Sequence, residues 1–143
     1  MSDSEYLRQL TLLIFCIGFK RATVERRWKA FEQAFMGFDP EAVAGFSDAD
    51  IEGLIAGRAL VCHRAKLRAV RNNARHFTAV AETHGSFGGW LTSMKGQPYE
   101  VLEMALVGTL NHCGPQTAFQ FLLEVGMVEL SDKPDHVKYE VRA

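Results

Sequence analysis

Residues 110–122 read LNHCGPQTAFQFL, a Gly-Pro pair set between two apolar runs and followed by Gln-Thr-Ala. Gly114 is the residue type that tolerates φ > 0 and lets another backbone come close. Pro115 lacks the N–H that the first turn of a helix leaves unpaired, so it suits the first helical position. Beyond it Ala118, Phe119, Leu122 and Leu123 recur at helical spacing, and Gly126 offers a stop. The stretch is a tight turn between two helices, with the backbone N–H groups of the second helix's start facing outward. Such a terminus either holds a phosphate or simply caps a helix.

Outward from this turn the apolar spacing stays helical almost everywhere. It predicts a first helix over about 4–18, apolar on most faces, and a second over Thr23–Met36 with Val24, Trp28, Phe31 and Phe35 on one stripe. In FDPEAVAGFSDADIEGLI, Asp39 before Pro40 reads as an N-cap with proline at the first helical position, and Ser47 with Asp50 resembles a capping box. A long helix follows over about 59–82, closed by His84-Gly85. GSFGGW opens a short segment, Gln97-Pro98 opens a helix to Thr109, and the tail ELSDKPDHVKYEVRA is polar. The expected fold is all-α, a compact bundle of short helices forming a single domain over residues 1–143.

Composition adds exclusions. Apolar residues make up 48% and charged residues 23%, the mix of a soluble globular protein. A net charge of -1 and a pI near 6.5 exert no global pull toward nucleic acid or membrane, so any such affinity rests on local charge placement. The longest apolar run, LTLLIFCIGF at 10–19, is too short to span a bilayer, and Asp3 and Glu5 stand where a signal peptide has its basic region. Three cysteines without regular spacing imply reduced thiols and a cytoplasmic setting.

The long helix carries the most informative charge pattern. Arg64, Arg68, Arg71 and Arg75 step by four, three and four, which aligns them in one stripe beside Leu67, Val70, Ala74 and Phe77. No acidic residue occurs between Glu52 and Glu82. The stripe is either a solvated face or a ridge that meets DNA phosphates. Cys62-His63 and His112-Cys113 are adjacent pairs whose side chains point about 100° apart on a helix, so each offers at most one metal ligand. Trp28, Phe31 and Phe35 read as core, and Phe87 and Trp90 lie near a cleft or fold back on the domain.

Together RRWKAFEQAFMGFDPEAVA, HRAKLRAVRNNARHF, HGSFGGWL and the turn followed by FQFLLEVG resemble the DNA-3-methyladenine glycosylase I family, within the helix-hairpin-helix glycosylase superfamily. In order and spacing they cover roughly residues 18–128. The superfamily hairpin reads roughly LPGVGxxTA. Leu110, Gly114, Thr117 and Ala118 match it, while Asn111, His112 and Cys113 replace the proline, first glycine and valine. The resemblance thus implies a degenerate helix-hairpin-helix that grips a DNA phosphate through His112, Gly114, Gln116 and Thr117, with Arg64, Lys66, Arg68 and Arg71 meeting others.

The family's pocket chemistry carries over unevenly. Its glutamate in the first long helix falls on Leu13 and its tryptophan on Arg21, and the segment that supplies pocket tyrosines and two zinc ligands has no counterpart in this sequence. The downstream zinc pattern has only DHVKYE, with His136 and then Glu140 in place of cysteine, so neither metal nor cofactor is expected. Gln116 replaces the lysine nucleophile of bifunctional members, which disfavours lyase chemistry. Asp135 lies at about the distance past the hairpin where many members keep a catalytic aspartate; otherwise it is a solvated tail carboxylate. The implied function is base-excision repair on double-stranded DNA, hydrolysing the N-glycosidic bond of alkylated purines such as 3-methyladenine. The alternative is an inactive relative that binds DNA or protein.

Overall fold

The computed structural model describes residues 1–17, 20–57 and 63–138, and among them every regular element is helical, with no strand. The order is α1 Asp3–Cys16, α2 Arg21–Arg26, α3 Trp28–Ala34, α4 Pro40–Ala44, α5 Asp48–Gly57, α6 Arg64–His84, α7 Phe87–Ser93, α8 Tyr99–Thr109 and α9 Pro115–Glu124. The expected all-α architecture holds. The part of the long helix expected over 59–62 lies outside the described residues, as do Cys62, Glu140, Gly18 and Phe19.

α1 is the central helix because both faces of its sequence are apolar. Leu7, Leu10, Ile14 and Phe15 are fully buried. It packs against α6, α7 and α9. Its start is fixed by a capping box in which Ser2 accepts from the Glu5 N–H and Glu5 reaches back to the Ser2 N–H. The aromatic residues that the spacing assigned to the core lie there. Trp28 stacks on Phe31 and on Phe38, each at 5.3 Å, and Phe77 stacks on Phe87 at 3.7 Å. Trp90 packs against Phe87 from the side at 5.5 Å, so the Gly-rich segment folds back on the domain.

Three local readings change. The helix expected over Thr23–Met36 is two helices, broken at Arg27 (φ -103°, ψ 5°) and followed by a 3-10 turn at Met36–Phe38. Asp39 does precede Pro40 at the start of α4, but its side chain makes no capping hydrogen bond. Ser47 and Asp50 do form the reciprocal box, with the Asp50 N–H donating to Ser47 Oγ at 3.1 Å and the Ser47 N–H donating to Asp50 Oδ2 at 2.8 Å.

Candidate functional site: a pocket beside the hairpin

α8, the turn at 110–114 and α9 form the helix-hairpin-helix, and a buried side chain from α6 sets its position. Asn73, 1% exposed, donates through Nδ2 to the Asn111 carbonyl at 3.2 Å and accepts the Asn111 N–H on Oδ1 at 2.6 Å. One amide thus satisfies both backbone groups of a turn residue that no helix can serve. Sequence reasoning missed Asn73; the available signal was a poor helix former in a stripe otherwise apolar or basic.

The turn does not use its glycine as expected. Gly114 has φ -80° and ψ -179°, ordinary extended backbone, and the left-handed residue is His112 at φ 53°. Nor does Gly114 permit a close internal approach, because a Cβ built there meets nothing within 4 Å. The space in front of α9 is open. Pro115 begins that helix as expected, and no side chain caps it, so the N–H groups of Gln116 and Thr117 are presented to that space. Burial holds the His112 imidazole below the usual histidine range, with His63 and Lys66 adding the same push.

A cavity of about 240 Å³ opens between α1, α2 and the first turns of α9, lined by Leu13, Ile17, Arg21, Gln116, Thr117, Gln120 and Lys138. It brings together Leu13 and Arg21, which the resemblance placed in a base pocket, with Gln116 and Thr117 of the hairpin. Lys138 closes one side, since its N–H donates to Gln116 Oε1 at 3.0 Å while Gln116 Nε2 donates to the Lys138 carbonyl. Arg21 is held from behind, Nε to Glu25 Oε1 at 3.0 Å and one terminal nitrogen to Glu124 Oε1 at 3.7 Å. These contacts, chiefly the hydrogen bond to Glu25, raise its pKa, so the guanidinium stays charged. No aromatic residue lines the cavity among the described residues.

Other nominated residues sit elsewhere. Asp135 is exposed in the turn after α9 and does not line the cavity. Its neighbour His136 pairs with Glu103 at 2.7 Å. The arginine stripe is engaged inside the fold. Arg64 makes a two-pronged pair with Glu52 at 2.6 and 2.9 Å, and Arg68 reaches the same carboxylate at 3.9 Å. Arg71, 7% exposed, pairs with Asp48 at 2.6 Å, and Arg75 donates to the Ala44 and Phe46 carbonyls at 3.0 and 3.2 Å. The acidic partners Asp48 and Glu52 come from α5, upstream of α6. Lys66, expected to meet a phosphate, is buried, and its ammonium donates to the Ile17 carbonyl at the end of α1. That placement satisfies a helix C-terminus, and burial lowers the lysine pKa. Within the chain the arginine stripe ties α6 to α5 and to the end of α4, with Arg64 and Arg68 about half exposed.

The chain resembles known proteins in both sequence and fold. The family model for methyladenine glycosylase matches residues 1–107, ending within α8 just before the hairpin turn. DNA-3-methyladenine glycosylase of Haemophilus influenzae is 30% identical over 76 residues, 53% of this chain and 41% of that protein. DNA-3-methyladenine glycosylase 1 of Escherichia coli is 26% identical over 86 residues, 60% of this chain and 46% of that one. The matched stretch therefore spans less than half of either curated relative. Among solved structures, a variant of 3-methyladenine DNA glycosylase I from Staphylococcus aureus superposes with a TM-score of 0.79 at 25% identity, covering 97% of this chain and 86% of that one. A variant of the same enzyme type, solved in complex with 3-methyladenine, gives 0.78 at 25% identity over 97% and 86%. With three quarters of its length under the family model and the same overall fold as those enzymes, this chain belongs to the methyladenine glycosylase family.

Proposed function

We propose that this chain is a DNA glycosylase of base-excision repair, a single domain over 1–143 working in the cytoplasm. In this reading it grips duplex DNA at the hairpin and hydrolyses the N-glycosidic bond of an alkylated purine turned into the adjacent pocket. The observation that supports it most is that one helix start, Gln116 and Thr117 of α9, belongs both to the open anion-facing terminus and to the cavity wall. A phosphate held on those N–H groups brings its own nucleotide to the mouth of the cavity. Relatives named for 3-methyladenine supply the substrate class.

The open space before Gly114 gives a test that spares the fold. Its φ is one that any residue adopts, and an added Cβ meets no neighbour within 4 Å. Gly114→Leu is expected to keep the parent's thermal midpoint while placing a side chain where the phosphate approaches. Duplex affinity, read by fluorescence anisotropy, is expected to fall roughly tenfold or more, the loss of one charge-assisted contact. Unchanged affinity in a folded variant removes the hairpin from the interface.

A second reading, binding without excision, is favoured by one observation. No carboxylate lines the cavity among the described residues, and Asp135 stands outside it. Release of methylated bases from alkylated duplex DNA separates the two. Asp135→Asn is expected to reduce that release if the exposed carboxylate swings toward bound substrate, and to leave it unchanged if the tail carboxylate is only solvated.

A further inference from the structure

Polar recognition in this cavity falls to α9. From α1 the lining takes only an apolar side chain, Leu13. Arg21, at the start of α2, has its charge matched by the Glu25 and Glu124 carboxylates. Gln116 is held at both ends of its amide by the Lys138 backbone. There remain Thr117 and Gln120, three residues apart on α9 and therefore on one face, both lining the cavity. Thr117 is 5% exposed and Gln120 is half-buried. Among the described residues neither the Thr117 hydroxyl nor the Gln120 amide has a hydrogen-bond partner. Polar groups taken out of water are almost always paired, so two unpaired ones on a cavity wall await a ligand that pairs them. At about 240 Å³ the cavity is smaller than a drug-sized ligand site and suits a single base.

We infer that Gln120 is the residue that reads the base in this pocket, its carboxamide pairing with the 6-amino group and the neighbouring ring nitrogen of an adenine. The inference rests on the glycosylase reading and names a specificity-determining residue for it. An adenine presents a donor at N6 beside an acceptor at N7, and a carboxamide presents an acceptor beside a donor. The two therefore meet through two hydrogen bonds.

A 6-oxo purine presents two acceptors, O6 and N7, to the same amide. One bond is then lost, and the amide oxygen is left facing another acceptor. The amide carries no charge, so it distinguishes the 6-position whether or not alkylation has left the ring cationic. The Thr117 hydroxyl both donates and accepts. It can hold either base from the same face of α9, so it adds affinity without preference. Selection for adenine over a 6-oxo purine thus rests on the one side chain of the pair whose donor and acceptor are fixed relative to each other.

3-Methyladenine and 3-methylhypoxanthine are matched in size and differ in the substituent at C6, so they isolate this reading. Each free base is titrated into the full chain while the Leu13 methyls and the Gln120 side-chain amide are followed by NMR. The parent is expected to bind 3-methyladenine roughly tenfold or more tighter than 3-methylhypoxanthine, the worth of one bidentate pair. Gln120→Leu is expected to lose that preference by falling to the weaker affinity for both bases. Thr117→Val is expected to weaken both alike and keep the preference, which a merely structural role for this face would not do. Gln120→Glu, equal in size but without the amide N–H, serves if the leucine variant loses its helical signal, and is expected to weaken 3-methyladenine binding. Equal affinities in the parent, a preference that survives Gln120→Leu, or no shift with either base overturns the inference. Release of 3-methyladenine from alkylated duplex DNA by the parent is measured alongside. Release without a Gln120-dependent preference overturns the inference and leaves the glycosylase reading standing. A Gln120-dependent preference without release sustains the inference and defeats the catalytic part of the proposed function.

Discussion

Tyr99, the first residue of α8, carries a buried hydroxyl with no hydrogen-bond partner among the described residues. Its ring packs edge-on against Phe119 at 5.8 Å, so the ring contributes to the core while the oxygen only loses water. Burial is also what raises the phenol's pKa, with the nearby Glu103 charge adding to it. Removing the oxygen and keeping the ring relieves a desolvation cost of about 1–3 kcal/mol. Tyr99→Phe is therefore expected to be at least as stable as the parent, by roughly 1 kcal/mol in urea denaturation; a clear loss of stability means that the hydroxyl has a partner. Burial likewise pushes the Cys113 thiol up to about 12, so it is a packing residue. In the native protein its peptide is expected to stay unmodified by iodoacetamide at neutral pH, as mass spectrometry would show. At this scale the sequence was read well for apolar residues, whose positions follow from periodicity, and poorly for backbone. Gly114 stood out because glycine tolerates φ > 0, yet the turn puts its left-handed residue at His112, where tertiary contacts outweigh the residue's own preference.

Between elements, two polar devices position the site, and neither was legible in a single helix. The first is Asn73. Replacing it by Ala leaves the half-buried Asn111 N–H and carbonyl without these partners, a cost of about 1 kcal/mol or more concentrated at the hairpin. Hydrogen exchange of the 110–114 amides is expected to accelerate more than that of α1; uniform acceleration would instead mark Asn73 as a general stabiliser. The second device is the α5–α6 ladder. The Asp48 carboxyl is held below its ordinary 3.8 by its hydrogen bond from Arg71, and the Glu52 carboxyl below its ordinary 4.5 by that from Arg64. Groups with depressed folded pKa values contribute stability above their unfolded values and lose it as pH falls through the folded ones. The ladder is thus intact at neutral pH and fails in acid, below those ordinary carboxylate values. Both carboxylates are solvent-exposed, so salt shares in weakening them. Asp48→Asn is expected to flatten the acid limb of the stability curve, and an unaltered limb would assign acid sensitivity elsewhere. The Arg spacing was visible from sequence, but its partners lie in a different helix, and periodicity on one helix is silent about what faces it. The break at Arg27 is equally hidden, because no glycine or proline marks it.

For the whole molecule, the decisive quantity is how many phosphates the surface is free to neutralise. The net charge of -1 supplies no general attraction, so affinity rests on local groups. Had the α6 stripe faced DNA, four arginines would each displace counterions, and affinity would fall steeply with salt, with a slope near -0.9 per phosphate. In the structure Arg64 and Arg68 share Glu52, Arg71 is buried on Asp48, and Arg75 holds the end of α4. Of the groups nominated for phosphate contact, the start of α9 is the one left open among the described residues, and its contribution comes mainly from backbone N–H groups that carry no counterion to exchange. The expected plot of log affinity against log salt for an undamaged duplex is therefore shallow, with a slope magnitude of about 1–2. Arg64→Ala with Arg68→Ala should leave that slope and the affinity near the parent's. Both side chains are half exposed and their pairs with Glu52 are surface pairs, so the stability cost should stay within about 1 kcal/mol. Gly114→Leu should lower the affinity at every salt concentration while leaving the slope nearly unchanged, because it blocks a site and removes no charge. A steep slope that flattens in the double arginine variant would restore the ridge, since it would mean that DNA outcompetes Glu52 for both guanidinium groups.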